Sequence, residues 1–307
     1  MIVYFELSSV AADLCIPLTE LYSVSNSINK HYKRVDVPKK SGGYRTLHVP
    51  DNRLKNIQRR INERILSKVS VSQYATAYRY NSSVVNNAVP HVGKPVVLKL
   101  DISGFFDSIL YSQVKELVFP KEYFSESVRI LLSLLCYYKD SLPQGAPTSP
   151  AVSNIIMREF DEDVGHWCKR QNITYTRYCD DMTFSGDFNT EAVTRYVSER
   201  LRKMGFFLNG KKTIAVKNSG RQLVTGIVVN EKPSVPSESR RKLRQEIHFC
   251  QKFGVTEHIK RSGISDNPRT YIMRLIGRAE YFHSISPDNT EFISYKNWLT
   301  EQLKQHK

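Results

Sequence analysis

The sequence predicts an α+β fold with a helical C-terminal part, and three observations carry that reading. Helix-period and strand-period segments are mixed through roughly the first 230 of 307 residues. From Pro233 onward only helical spacing remains. A hydrophobic content of 40% with 11% aromatic residues supplies a sizeable core, which excludes disordered and fibrous classes. The length fits about two domains, or one large multi-lobed one.

The elements follow in order. Residues 10–30 have helical spacing at Leu14, Leu18, Leu21 and Ile28, with Pro17 near a break or a first turn. Tyr32–Pro38 and Tyr44–Pro50 alternate around the glycines of Lys39–Gly43, a hairpin pattern. Residues 52–69 return to helical spacing, and Val96–Leu100 reads as a β-branched strand ending at Asp101. Residues 111–118 and 124–138 read as helices. Ser149 before Pro150 is a helix start, a capping hydroxyl followed by proline at the first position, and the helix runs on through Ile155, Phe160 and Val164. Thr174–Cys179 and Met182–Ser185 are short strands around Asp180-Asp181. Residues 190–204 form an amphipathic helix, and Leu223–Asn230 a strand. Helices are expected at 237–253, 268–284 and 288–305, with a boundary at Lys232–Val235.

Charge narrows the function classes. Lys and Arg number 45 against 30 Asp and Glu, a net +15, which points to a polyanion, nucleic acid first, although a basic but ordinary enzyme has the same arithmetic. No apolar run approaches the roughly 18 residues of a membrane span. The N-terminus lacks a basic region and carries Glu6, so no signal peptide is expected. Five cysteines without a CxxC pair argue against a disulfide framework or structural zinc and fit a reducing cytosol. His248, Cys250 and His258 match no standard metal spacing. Gly205 to Lys211 nearly matches a P-loop, but Lys212 stands where Ser or Thr is required, and the segment follows a helix.

Two acidic sites stand out. Asp101 ends a strand and is followed by Phe105-Phe106, and Asp180-Asp181 sits in a tight turn flanked by apolar and aromatic residues. Adjacent carboxylates repel unless a cation lies between them. A divalent cation is the natural partner, and magnesium is typically held by one or two carboxylates plus substrate phosphates. Two such ions about 3.5–4 Å apart support in-line phosphoryl transfer. A solvated turn is the competing reading of a bare Asp-Asp pair.

Tyr178-Cys179-Asp180-Asp181 is similar to the YxDD box of reverse transcriptases. Asp101 with Phe105-Phe106 resembles their first palm motif, and Leu142–Pro150 resembles LPQGxPxSP. Gly205–Asn209 followed by Lys211-Lys212-Thr213 resembles the next motif. Asn87-Ala88-Val89-Pro90-His91 and Val224-Thr225-Gly226 match the NAxxH and VTG elements of bacterial retron reverse transcriptases. One departure is Cys179, where the retron box usually has alanine; it reads as a small buried residue or, alternatively, as an oxidation-sensitive one.

The resemblance implies a right-hand polymerase: fingers with N-terminal helices over 1–95, palm over 96–232 with a fingers-like insert near 111–140, and a helical thumb over 233–307. It implies two Mg2+ ions on Asp101, the Ile102 backbone carbonyl, Asp180 and Asp181. It makes Phe106 a steric gate against the ribose 2′-OH, while Phe105 belongs to the core. Gly145 would permit close backbone approach, Gln144 would hydrogen-bond the incoming dNTP or the template, and Arg45, with Lys39 or Lys40, would clamp the triphosphate, a solvated charged hairpin being the alternative for the two lysines. Lys212 would protonate pyrophosphate, with Lys211 a competitor for that role. Asn87, His91, Val224, Thr225 and Gly226 would select the RNA. The implied activity is retron reverse transcription: copying a cognate structured noncoding RNA from an RNA 2′-OH into a branched RNA–DNA hybrid (msDNA). The implied setting is the bacterial cytoplasm, in anti-phage defence with a separate effector protein, because fingers, palm and thumb take up the whole chain. Group II intron-like or diversity-generating reverse transcriptases, and a catalytically idle RNA-binding scaffold, remain as alternatives.

Overall fold

The structure is a computed structural model and describes residues 3–38 and 42–306. Its architecture is α+β, as predicted. Leu7–Leu14 (α1) and Leu18–Asn26 (α2) are separated at Pro17, which cannot continue the first helix but opens the second. Tyr32–Pro38 (β1) and Tyr44–Pro50 (β2) form an antiparallel hairpin with Tyr32 opposite Pro50. The expected turn residues Lys39 and Lys40 lie outside the described residues. Asn52–Arg64 (α3) starts at Asp51, whose carboxylate accepts the Leu54 N–H at 2.9 Å. Val84–Ala88 (α4) precedes Val96–Asp101 (β3).

Tyr111–Gln113 (α5) passes directly into a π turn over Val114–Val118. The buried Arg129 donates to the Phe119 carbonyl there at 2.7 Å. It lies on Glu126–Cys136 (α6), after which come Ser149–Ile156 (α7) and Arg158–Arg170 (α8). The single helix expected from Ser149 therefore steps at Met157, where no glycine or proline marks the break. Nor does Ser149 cap the helix. Its hydroxyl donates to the Pro143 carbonyl at 2.7 Å, so it ties down the preceding loop.

Thr174–Tyr178 (β4) and Asp181–Gly186 (β5) pair antiparallel around a two-residue turn, with Tyr178 opposite Asp181. Thr190–Lys203 (α9) is capped by Asn189. Ile214–Lys217 (β6), which the sequence did not announce, completes a four-stranded sheet in the order β4-β5-β3-β6. The strand expected over Leu223–Asn230 is instead a hairpin of Leu223–Val224 (β7) and Ile227–Val228 (β8). Thr225 and Gly226 both have positive φ (46° and 83°), which reverses the chain. Ser237–Phe253 (α10), Val255–Arg261 (α11), Pro268–Ile285 (α12) and Thr290–Gln305 (α13) complete the chain, α11 being unexpected.

The chain packs as two compact units. One comprises Met1–Ser82 and Leu98–Ala215, the other Ser83–Val97 and Val216–Lys307. Each has its own apolar core. The first is built on Leu54, Ile57, Ile61, Leu98, Leu100 and Phe184. The second joins Ala88 and Val97 to Val224, Ile227, Leu243, Tyr271 and Leu275. The segment of the second unit that holds the C-terminal helices thus starts at Val216, ahead of the expected boundary at Lys232–Val235, because the β7–β8 hairpin buries its apolar residues in the helical core. All five cysteines are free. No helix among the described residues is long and apolar enough to cross a membrane.

Candidate active site

The order β4-β5-β3 places the end of β3 beside the β4–β5 turn, within the first unit. Asp101 is almost wholly buried there, at 4% exposure. The Ile102 N–H, immediately after it, donates to the Asp180 carbonyl at 3.1 Å. The Asp101 carbonyl accepts the Asn209 N–H at 2.8 Å, bringing in the segment that carries Lys212. Lys212 Nζ meets Asp101 Oδ2 at 2.7 Å, and this contact raises its pKa above the ordinary lysine value. Burial, and then the negative charges of Asp180 and Asp101, push the Asp181 carboxyl above the usual carboxylate range, while Lys99 and Lys212 pull it back.

The structure therefore gathers Asp101, Ile102, Asp180, Asp181 and Lys212 at one end of the sheet. Lys99 was not foreseen. It lies two residues before Asp101 on β3, and strand alternation puts both on one face.

A hard cation fits this donor set. The carboxylates crowd negative charge that Lys99 and Lys212 only partly offset, and oxygen donors are what such a cation requires. Among the described residues no three His, Cys, Asp or Glu side chains close on one ion by themselves. Further donors must come from substrate phosphates and water, which is how magnesium is usually held.

Nucleotide-site candidates cluster through backbone contacts. The Leu142 N–H donates to the Phe106 carbonyl at 3.1 Å, and the His48 N–H of β2 donates to the Gln144 carbonyl at 2.9 Å. Gly145 has φ +123°, and a Cβ there would lie 3.0 Å from the His48 carbonyl oxygen, so glycine permits this close approach. Phe105 is buried and packs on Phe206, whereas Phe106 is partly exposed. Arg45 is exposed on the same hairpin as His48.

Cys179, the first turn residue, is 7% exposed with φ +62°. Burial and the neighbouring Asp180 charge push its thiol up to about 12, and Tyr78 OH lies 3.5 Å from its sulfur. It is a small protonated residue and not a reactive thiol. Sequence reasoning missed what lies beneath it. Arg177 donates to the Cys179 carbonyl at 2.9 Å and pairs with Asp161, and neither side chain has exposed surface. A lone arginine in a short strand carries no periodic signal, because long charged side chains are rarely buried.

The remaining candidates lie in the second unit. Asn87 Nδ2 reaches Thr225 Oγ1 at 3.5 Å, and that hydroxyl donates to the Val84 carbonyl at 3.0 Å, so NAxxH and VTG meet. Asn87, His91 and Val224 are buried, Thr225 is partly exposed and Gly226 exposed. Burial pushes the His91 imidazole down to about 3, keeping it neutral.

Residues 37–242, about two thirds of the chain, match the family model described as "Reverse transcriptase (RNA-dependent DNA polymerase)". The chain is also 32% identical over 221 residues to the retron Ec86 reverse transcriptase of Escherichia coli, covering 70% of this chain and 69% of that protein. This chain is a retron-type member of the reverse transcriptase family. A second relative, the retron Mx65 reverse transcriptase of Myxococcus xanthus, is 33% identical over 282 residues, which is 85% of this chain but 63% of that protein. The reverse transcriptase chain described here thus spans less than two thirds of the Mx65 protein's length. Among solved structures, telomerase from Candida albicans aligns over 94% of this chain and 64% of its own, with 13% identity and a TM-score of 0.47.

Proposed function

We propose that this chain is an RNA-directed DNA polymerase that copies its own structured noncoding RNA, priming from an RNA 2′-OH and leaving a branched RNA–DNA hybrid (msDNA). The observation that carries this reading is the convergence of Asp101, Asp180, Asp181 and Lys212 at one sheet end, in a chain whose family and relatives are reverse transcriptases.

Asp101, the Ile102 carbonyl, Asp180 and Asp181 would hold two Mg2+ ions. When bound, these ions would lower the pKa of the attacking hydroxyl and neutralise charge on the triphosphate. The protein's own part is positional and electrostatic. Lys212, held by Asp101 through one contact, has a mostly exposed side chain that can turn to the departing pyrophosphate and donate a proton from Nζ. Phe106, whose carbonyl accepts the Leu142 N–H just ahead of the Gln144–Gly145 loop, would set its partly exposed ring against a ribose 2′-OH. Arg45 on the β1–β2 hairpin would hold the dNTP phosphates.

Asn87, buried and within reach of Thr225, ties α4 to the β7–β8 hairpin, and His91 is buried in the same unit. RNA contact falls to the edges that reach the surface, Thr225 and Gly226 among them. The setting in this reading is the bacterial cytoplasm, with a separate effector protein acting with the hybrid in anti-phage defence.

The test uses the double variant Asp180→Asn with Asp181→Asn. It should bind the noncoding RNA as the parent does and make no labelled DNA; accumulation of DNA would refute the metal-site assignment. Sequencing nucleic acid bound to the native protein, after RNase and debranching treatment, should return a 2′–5′ branched hybrid, whereas an intron lariat would point to the group II reading.

A further inference from the structure

The turn that carries Asp180 is supported by an ion pair that contributes nothing to solvent contact. Arg177 and Asp161 have no exposed side-chain surface. Arg177 Nε donates to Asp161 Oδ1 at 2.8 Å, and Nη2 donates to Asp161 Oδ2 at 2.6 Å and to Asn154 Oδ1 at 3.2 Å. Nη1 donates to the Cys179 carbonyl at 2.9 Å. Four of the five guanidinium hydrogens are thereby used. Asn154 is itself fixed by donating to the Ala77 carbonyl at 2.9 Å, and Tyr175 OH donates to Asp161 at 2.8 Å. The Arg177 backbone is held as firmly. Its N–H donates to the Tyr74 carbonyl at 2.8 Å, and its carbonyl accepts the Thr76 N–H at 2.8 Å.

Stability does not explain such an arrangement. A buried ion pair gains little over well-packed apolar residues of similar volume, and the swap is often neutral or stabilising. What an apolar pair cannot supply is a directed donor. The Cys179 carbonyl belongs to the peptide plane entering Asp180, and the Asp180 carbonyl belongs to the plane leaving it. Arg177 holds the first plane, and the Ile102 N–H holds the second at 3.1 Å. Asp180 is thus clamped on both sides, in a turn whose first residue has the unfavourable φ of +62°.

We propose that Arg177, itself held by Asp161 and Asn154, is a positioning residue that fixes the direction in which Asp180 presents its carboxylate. This rests on reading Asp180 as a metal carboxylate.

The experiment compares wild type with Arg177→Met/Asp161→Leu/Tyr175→Phe, which removes the charges and the Tyr175 hydroxyl together, and with Arg177→Lys, which keeps the charge but cannot span Asp161 and Cys179. Mn2+ binding is read by EPR, folding by thermal melting, and steady-state kinetics on dNTP by KM and kcat separately. The expected result is a melting temperature near that of wild type, Mn2+ affinity weakened about 10–100-fold, a similar fall in kcat and an unchanged KM for dNTP. Arg177→Lys should fall between, and it carries the test if the triple variant does not fold. Folded variants with wild-type Mn2+ affinity and kcat would overturn the proposal. So would an Arg177→Lys variant whose fall in kcat only matches its loss of folded protein on melting, with Mn2+ affinity at the wild-type value. Asp180→Asn in the same titration separates the underlying reading: wild-type Mn2+ binding by that variant would refute Asp180 as a ligand, and the positioning role with it.

Discussion

Cys179 shows how a single side chain is chosen by backbone and burial together. The turn has positive φ at its first residue and not at its second, the II′ pattern, which favours glycine. A side chain here costs about 1 kcal/mol or more, and the site admits only a small one. Cys179→Ala should therefore keep full polymerase activity and Cys179→Val should lose it, as measured by primer extension. With its thiol pushed up to about 12, Cys179 should resist iodoacetamide at pH 7.5 while the exposed Cys15 reacts, as read by peptide mass spectrometry. Asp181 gives a stability prediction. Its carboxyl is raised in the fold, so the folded state disfavours the charged form at neutral pH. That penalty is fully present above the folded pKa and vanishes below the unfolded carboxylate value of about 4. Asp181→Asn should raise the midpoint of urea unfolding at pH 7, and the gain should shrink as the pH falls through the folded pKa toward 4.

Among the elements, the contacts between loops decide more than the helices do. Adding a methyl in Gly145→Ala would drive Cβ into the His48 carbonyl from a φ of +123°. The β1–β2 hairpin would have to shift from the Gln144 loop, so the KM for dNTP should rise with little change in melting temperature. Gly226→Ala is a contrasting case: no atom lies within 4 Å of the added Cβ, and only the positive φ opposes it. Its cost should be about 1 kcal/mol in unfolding of the second unit.

Most elements were legible because period-2 and period-3.6 patterns report which face is buried. The carboxylate turn was legible because acids between aromatic and apolar flanks are conspicuous. The Arg177–Asp161 pair was not, since burial of a charge leaves no pattern in its own strand. The β7–β8 hairpin was read as one strand because Thr225 gives no warning of a positive φ. The step at Met157 has no breaker residue to announce it.

On the scale of the molecule, the charge of +15 is the property that meets nucleic acid first. RNA affinity should fall linearly with salt on logarithmic axes, by roughly a thousandfold between about 50 and 200 mM salt if about six phosphates are contacted. A fluorescence titration across salt concentrations reads the slope, and a flat profile would exclude an electrostatic interface. The fingers, palm and thumb expected from sequence describe jobs, whereas the two units describe packing. The mismatch arises because Ser83–Val97 is embedded in one unit's sequence and packed in the other's core.

That interruption sets a schedule for the chain as it is made. Ser83–Val97 leaves the ribosome well before Val216–Lys307, the rest of its unit. At about 5–20 residues per second, translating residues 98–215 takes roughly 6–24 s. Throughout that interval Ala88 and Val97 have no second core to enter. The first unit can close early, while the second must wait for the last segment to be translated.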